Sequence, residues 1–122
     1  MAKWFTEQEL TCRCGCGDAE MKPRLMDKLD ALRDAVKRPI KVNSAKRCVA
    51  HNEAVGGAQN SAHITGEAVD LSAVTAREKY ELVTHALLLG FQRIGVGDNF
   101  VHMDISMKLP HPALWSYGGK KK

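Results

Sequence analysis

No apolar run in this chain approaches the roughly 18 residues that a membrane-spanning helix requires, so an embedded helical protein is excluded. The opening residues, "MAKWFTEQEL", also lack the apolar core of a signal peptide. On that ground the chain is expected to be made in the cytoplasm and to reach any outside target by another route. Aromatic residues make up only 6% of the sequence, so the core has to rest on Leu, Val, Ile, Ala and Met. Internal repeats and low-complexity tracts are missing. So is a basic stripe interleaved with aromatics, the usual footprint of a nucleic-acid binder. The net charge of +4 does not alter this, because Lys3, Arg13, Lys120, Lys121 and Lys122 account for it. The lysine tail over 118–122 is expected to be solvated and frayed.

What is present suits one compact domain over 1–122. Residues 4–20 read as irregular, because "TCRCGCGD" is too rich in Gly and Cys for a helix. From Pro23, residues Leu25, Leu29, Leu32 and Val36 recur at helical spacing, and Pro39 marks the expected stop. "IKVNS" over 40–44 alternates as a short strand, and "VAHNEAV" over 49–55 suits one or two helical turns. "EAVDLS" over 67–72 alternates again, with Ala68, Asp70 and Ser72 on one face. Thr75 and Glu78 form a capping box ahead of a helix that carries Leu82, Val83, Ala86, Leu87 and Leu89 and stops at Gly90. "RIGVG" and "FVHMDIS" then read as two strands around a Gly-Asp-Asn turn. The expected class is α+β, a small antiparallel sheet flanked by helices.

"SAHITGEAVDLS" concentrates the chemistry. His63 and Asp70 flank Gly66, which permits the chain to reverse between them. Zinc accepts imidazole nitrogen and carboxylate oxygen, and a catalytic zinc takes three protein ligands and leaves one position for water. His102 supplies a third from a later strand, and Asp104, two residues on, projects to the same side. One buried histidine usually serves packing, as expected for His85. Asp70 at this spacing from His63, with His102 on a later alternating strand, weighs toward a shared metal.

These residues carry a family resemblance. "SAHITGEAVD" is similar to the Ser-x-His-x-x-Gly-x-Ala-x-Asp signature of zinc D-alanyl-D-alanine carboxypeptidases and the phage endolysins related to them, metallopeptidases of hedgehog-like fold. "KRCVAHNEAVGGAQN", "FVHMD" and "ALWSY" extend the likeness over about residues 40–117. The resemblance implies one zinc ion held by His63, Asp70 and His102. It implies that Arg47 anchors a substrate carboxylate or polarises the scissile carbonyl. Ser61 would fix the turn before His63 or touch substrate. Several relatives place an acidic base three residues before the last histidine, where this chain has Asn99. Asp104 is then the expected general base, with Asp98 as the alternative. "SAKR" also stands where many members have Ser-Gly-Tyr-Arg, so a pocket aromatic is missing there.

The implied substrate is bacterial peptidoglycan. The resemblance favours an endolysin-type L-alanyl-D-glutamate endopeptidase, made in the host cytoplasm, released through a holin and acting as a monomer on the wall. A D-alanyl-D-alanine carboxypeptidase is the alternative, and a zinc-bearing binding module without turnover is the non-enzymatic one. Cys12, Cys14, Cys16 and Cys48 leave three readings open: reduced thiols, a disulfide from Cys48 to one of the others, or a second structural zinc. Their spacing weighs against the last, since paired zinc cysteines usually stand two to four residues apart.

Overall fold

A computed structural model describes residues 4–117; the expectation for the lysine tail lies outside them. Five strands, β1 (Val42–Ser44), β2 (Ala68–Ser72), β3 (Arg93–Val96), β4 (Phe100–Asp104) and β5 (Ala113–Ser116), form one sheet in the order β1-β2-β4-β3-β5. Four helices accompany it: α1 (Glu7–Leu10), α2 (Pro23–Val36), α3 (Val49–Ala54) and α4 (Ala76–Leu88). The α+β class is as expected. The sheet is mixed rather than purely antiparallel, because β5 runs parallel to β3.

Alternation explains the layering. Val69, Leu71, Val101, Met103 and Ile94 point to one face and are buried against Leu25, Leu29 and Leu32 of α2 and Leu82 and Ala86 of α4. Burying each such side chain is worth about 1.5–3 kcal/mol, which keeps this face apolar and fixes the strand register. The opposite face is then set by the same register. Asp70 pairs with His102, His102 with Gly95, and Gly95 with Trp115, giving one row of positions across four strands. Ala68, Asp104, Arg93 and Ala113 form the next row.

Local signals account for most helix ends. Thr75 and Glu78 make the expected capping box. The same device, Thr6 with Glu9, starts α1 inside a segment expected to be irregular. Four residues give no periodicity to read, so only the cap signals that helix. Helix α2 ends before Pro39: Lys37 takes a left-handed conformation (φ 59°) and its N–H donates to the Arg33 carbonyl at 3.1 Å. Leu87, expected on the apolar side of α4, is exposed, because the helix touches the sheet along the narrower stripe of Leu82 and Ala86.

Candidate metal centre

His63 lies in the loop before β2, not on a strand, and three local contacts fix it. Its N–H donates to the Ser61 hydroxyl at 3.2 Å, the turn-fixing contact anticipated for Ser61. Its carbonyl accepts the Arg47 N–H at 3.0 Å. Its ring Nδ1 lies 2.7 Å from the Ala45 carbonyl, which can only accept, so Nδ1 carries the proton and Nε2 keeps its lone pair. Gly66 (φ 75°) then reverses the chain toward β2. A side chain there would meet the Met21 Cα at 3.1 Å as well as straining the backbone.

His63 Nε2 lies 3.3 Å from Asp70 Oδ1, and His102 Nδ1 lies 2.9 Å from the same oxygen. The three ligand-capable atoms fall within 4.8 Å of one another, and all three residues are buried or largely so. The arrangement fits a zinc ion on the chemistry of its donors. Two imidazoles converge through one nitrogen each on a carboxylate oxygen, while the other nitrogen of each ring is held by an acceptor. Burial pushes the Asp70 carboxyl upward, but its contacts with the His102 and His63 rings outweigh it and hold it well below the usual range. Burial works against a charged His102, yet the hydrogen bonds to Asp104 and Asp70 raise its pKa.

Asp104 does project to the side of His102, as strand alternation predicts, but its surroundings are not those of a base facing water. Its side chain is fully buried. Oδ2 accepts from His102 Nε2 at 2.6 Å, and Oδ1 accepts from Arg93 Nε at 2.9 Å and from the Ser106 N–H at 3.1 Å. Both oxygens are committed to these donors, an arrangement that suits orienting His102. Asp98, the alternative, is exposed and lies outside the cavity lining, as does Asn99. Among the described residues, the carboxylates lining the cavity are Asp70 and Asp104.

The cavity over this cluster has a volume of about 500 Å³. Arg47 enters it from the loop after β1. Its Nη2 lies 3.5 Å from Asp70 Oδ2, and its Nη1 donates to Asn52 Oδ1 at 3.1 Å. Asn52 is itself buried and donates to the Ala58 carbonyl at 2.8 Å, tying the arginine to the loop that forms one wall. Trp115 and Tyr117 form the opposite wall, with the Trp115 and His102 ring centres 5.5 Å apart. Thus an aromatic absent from "SAKR" is supplied by β5 instead. Gly95 makes room for it, since a Cβ there would stand 2.7 Å from the Tyr117 ring. Arg93 stacks over Trp115 at 4.8 Å and connects that wall to Asp104.

Sequence reasoning therefore found the cluster of His63, Asp70 and His102, together with Arg47 and Ser61, and missed Arg93, Gly95, Trp115 and Tyr117 as cavity-forming residues. Arg93 falls on the correct side by alternation, but only once β3 is known to pair with β4. A family model described as Peptidase M15 matches residues 3–104. No curated protein matches the chain.

Proposed function

The chain belongs to the peptidase M15 family of zinc metallopeptidases, and from that premise we propose that it cuts the L-alanyl-D-glutamate bond of peptidoglycan stem peptides, with zinc on His63, Asp70 and His102. The convergence of two oriented imidazoles on Asp70 Oδ1 at the floor of the cavity is the observation that carries the reading. His63, Asp70 and His102 would hold the ion, which when bound would supply Lewis-acid chemistry, activating water near neutral pH and polarising a carbonyl. The chain's residues do the rest. Asp104 keeps the proton on His102 Nε2, so that Nδ1 faces the cluster. Ala45 does the same for His63. Arg47, with only partial exposure, offers an N–H fork to a developing oxyanion or to a substrate carboxylate. Trp115 and Tyr117 give an apolar wall for the stem peptide on the other side.

The D-alanyl-D-alanine carboxypeptidase reading rests on one specific feature, the Arg47 cation beside Asp70, which suits a terminal carboxylate. Synthesis in a host cytoplasm, release to the wall by a holin and action as a monomer belong to the same proposal. Digestion of purified muropeptides, followed by mass spectrometry, separates the readings. The expected product carries a new amino group on D-glutamate. Free D-alanine with the L-alanyl bond intact would reverse the choice of bond. Unchanged muropeptides with zinc bound would return the chain to the binding-module reading.

A further inference from the structure

On the far side of Arg47 lies a second cluster that the peptidase chemistry does not use. Cys12, Cys14 and Cys16 come from the loop after α1, and Cys48 precedes α3. All four are free, and their sulfurs lie within 4.8 Å of one another. Cys12 Sγ is 3.4 Å from Cys14 Sγ and 3.8 Å from Cys48 Sγ, and Cys14 Sγ is 3.6 Å from Cys48 Sγ. A zinc ion bonded to four thiolates at about 2.3 Å spaces its sulfurs about 3.8 Å apart along each edge of the tetrahedron. The observed separations cluster around that edge length, well beyond the about 2.05 Å of a disulfide.

Two backbone amides already point at these sulfurs. The Cys48 N–H donates to Cys12 Sγ and the His51 N–H donates to Cys48 Sγ, each at 3.4 Å. Such donors stabilise thiolate charge. The one-residue spacings that weigh against zinc in the sequence are overcome by the loop's path. It turns at once, with the Gly15 N–H donating to the Cys12 carbonyl at 3.3 Å and the Cys12 N–H to the Asp18 carbonyl at 2.7 Å. The Lys46 ammonium pairs with Asp18 at 3.1 Å, and the Lys46 N–H donates to the Leu10 carbonyl at 3.3 Å, bringing Cys48 to the loop.

We propose that Cys12, Cys14, Cys16 and Cys48 bind a second zinc ion, a structural one with an all-sulfur shell. Four protein ligands close the tetrahedron and leave no position for water, so this ion performs no hydrolysis. It joins the N-terminal loop to the segment that begins at Arg47, and so holds in place the backbone from which Arg47 reaches Asp70. Binding exchanges thiol protons for metal, up to four per site.

Zinc content of the wild-type chain, purified with the thiols kept reduced, is the first readout: two ions per chain are expected. His63→Ala should retain one zinc, and X-ray absorption at its edge should show only sulfur neighbours near 2.3 Å. Cobalt(II) added alone to the metal-stripped chain should give intense thiolate-to-cobalt charge-transfer absorption, lost in the paired variant Cys14→Ser/Cys16→Ser, which changes the two exposed cysteines. One zinc per wild-type chain with four freely reactive thiols would overturn the proposal. So would a disulfide among the four in the reduced preparation, or an absorption edge without sulfur. The wild-type measurements stand even if a variant fails to fold.

Discussion

The two clusters of metal-binding side chains in this chain are built in opposite ways. His63, Asp70 and His102 converge because two neighbouring central strands, β2 and β4, set Asp70 against His102 in direct register. The four cysteines converge because a loop with little regular structure folds back on the start of α3. The first set is held by the sheet and its apolar underside, so its geometry survives without an ion. The second is held by turns and a few long amide-to-sulfur contacts, so an ion has more to contribute to its stability. The first leaves a lined cavity above it for a substrate, while four sulfurs can close a shell.

The largest effect expected from breaking this contrast lies at the ligands. His63→Ala or Asp70→Ala should reduce muropeptide cleavage to background and remove one zinc per chain, measured by product mass spectrometry and metal analysis. Arg47→Ala comes next. If it stabilises the oxyanion, turnover should fall by about 10²–10³ with zinc still bound; a change confined to KM would instead assign Arg47 to substrate anchoring. Asp104→Asn should weaken zinc binding at the first site by about 10–100-fold, as expected when a ligand histidine loses its orienting partner. Unchanged affinity with turnover lost would assign Asp104 as the base.

How far these residues are visible in the sequence follows from the same contrast. Alternation in "EAVDLS" and "FVHMD" is enough to put Asp70 and His102 opposite the core, because the apolar partners Val69, Leu71, Val101 and Met103 demand the other face. His63, which no strand pattern places, is legible from its spacing to Asp70 across Gly66, and the ten-residue signature supports it. Trp115 and Tyr117 escaped because β5 pairs in parallel with β3 across a connection whose path the local sequence does not encode. Arg93 and Gly95 depend on that same pairing. The cysteines stay open among three readings in the sequence, because one-residue spacings do not say where the sulfurs lie; the loop's turns bring them beside Cys48.

Acid should separate the two sites further. Zinc at the first site needs the lone pair of His102 Nδ1, and the raised pKa of His102 means a proton competes from above the ordinary imidazole value of about 6.5. The apparent zinc affinity there therefore weakens as pH falls below that raised value. The cysteine site takes up several protons, so its affinity should fall more steeply with pH; equal slopes by zinc titration would contradict the assignment. Without metal the signs differ. The raised His102 pKa contributes stability that is full below the unfolded imidazole value and is lost as pH rises through the folded one. The depressed Asp70 pKa contributes stability present above the unfolded carboxylate value of about 3.9 and lost as pH falls through its own. Thermal unfolding of the stripped chain should therefore peak between the two.

The smallest effect is a calibration. Thr75→Ala, remote from both clusters, removes the hydroxyl that accepts the Glu78 N–H at 3.1 Å and should cost about 1 kcal/mol in denaturant unfolding, leaving zinc content as it was.

The central claim, that the ion at His63, Asp70 and His102 drives the cut, is tested most directly by adding zinc stepwise to metal-stripped protein. Muropeptide hydrolysis is followed at each step, for the wild type and for His102→Ala. The wild type should be inactive without zinc and recover as it is added, while His102→Ala should stay inactive at every level. Hydrolysis by the stripped wild type, or by His102→Ala at the wild-type rate, would contradict it.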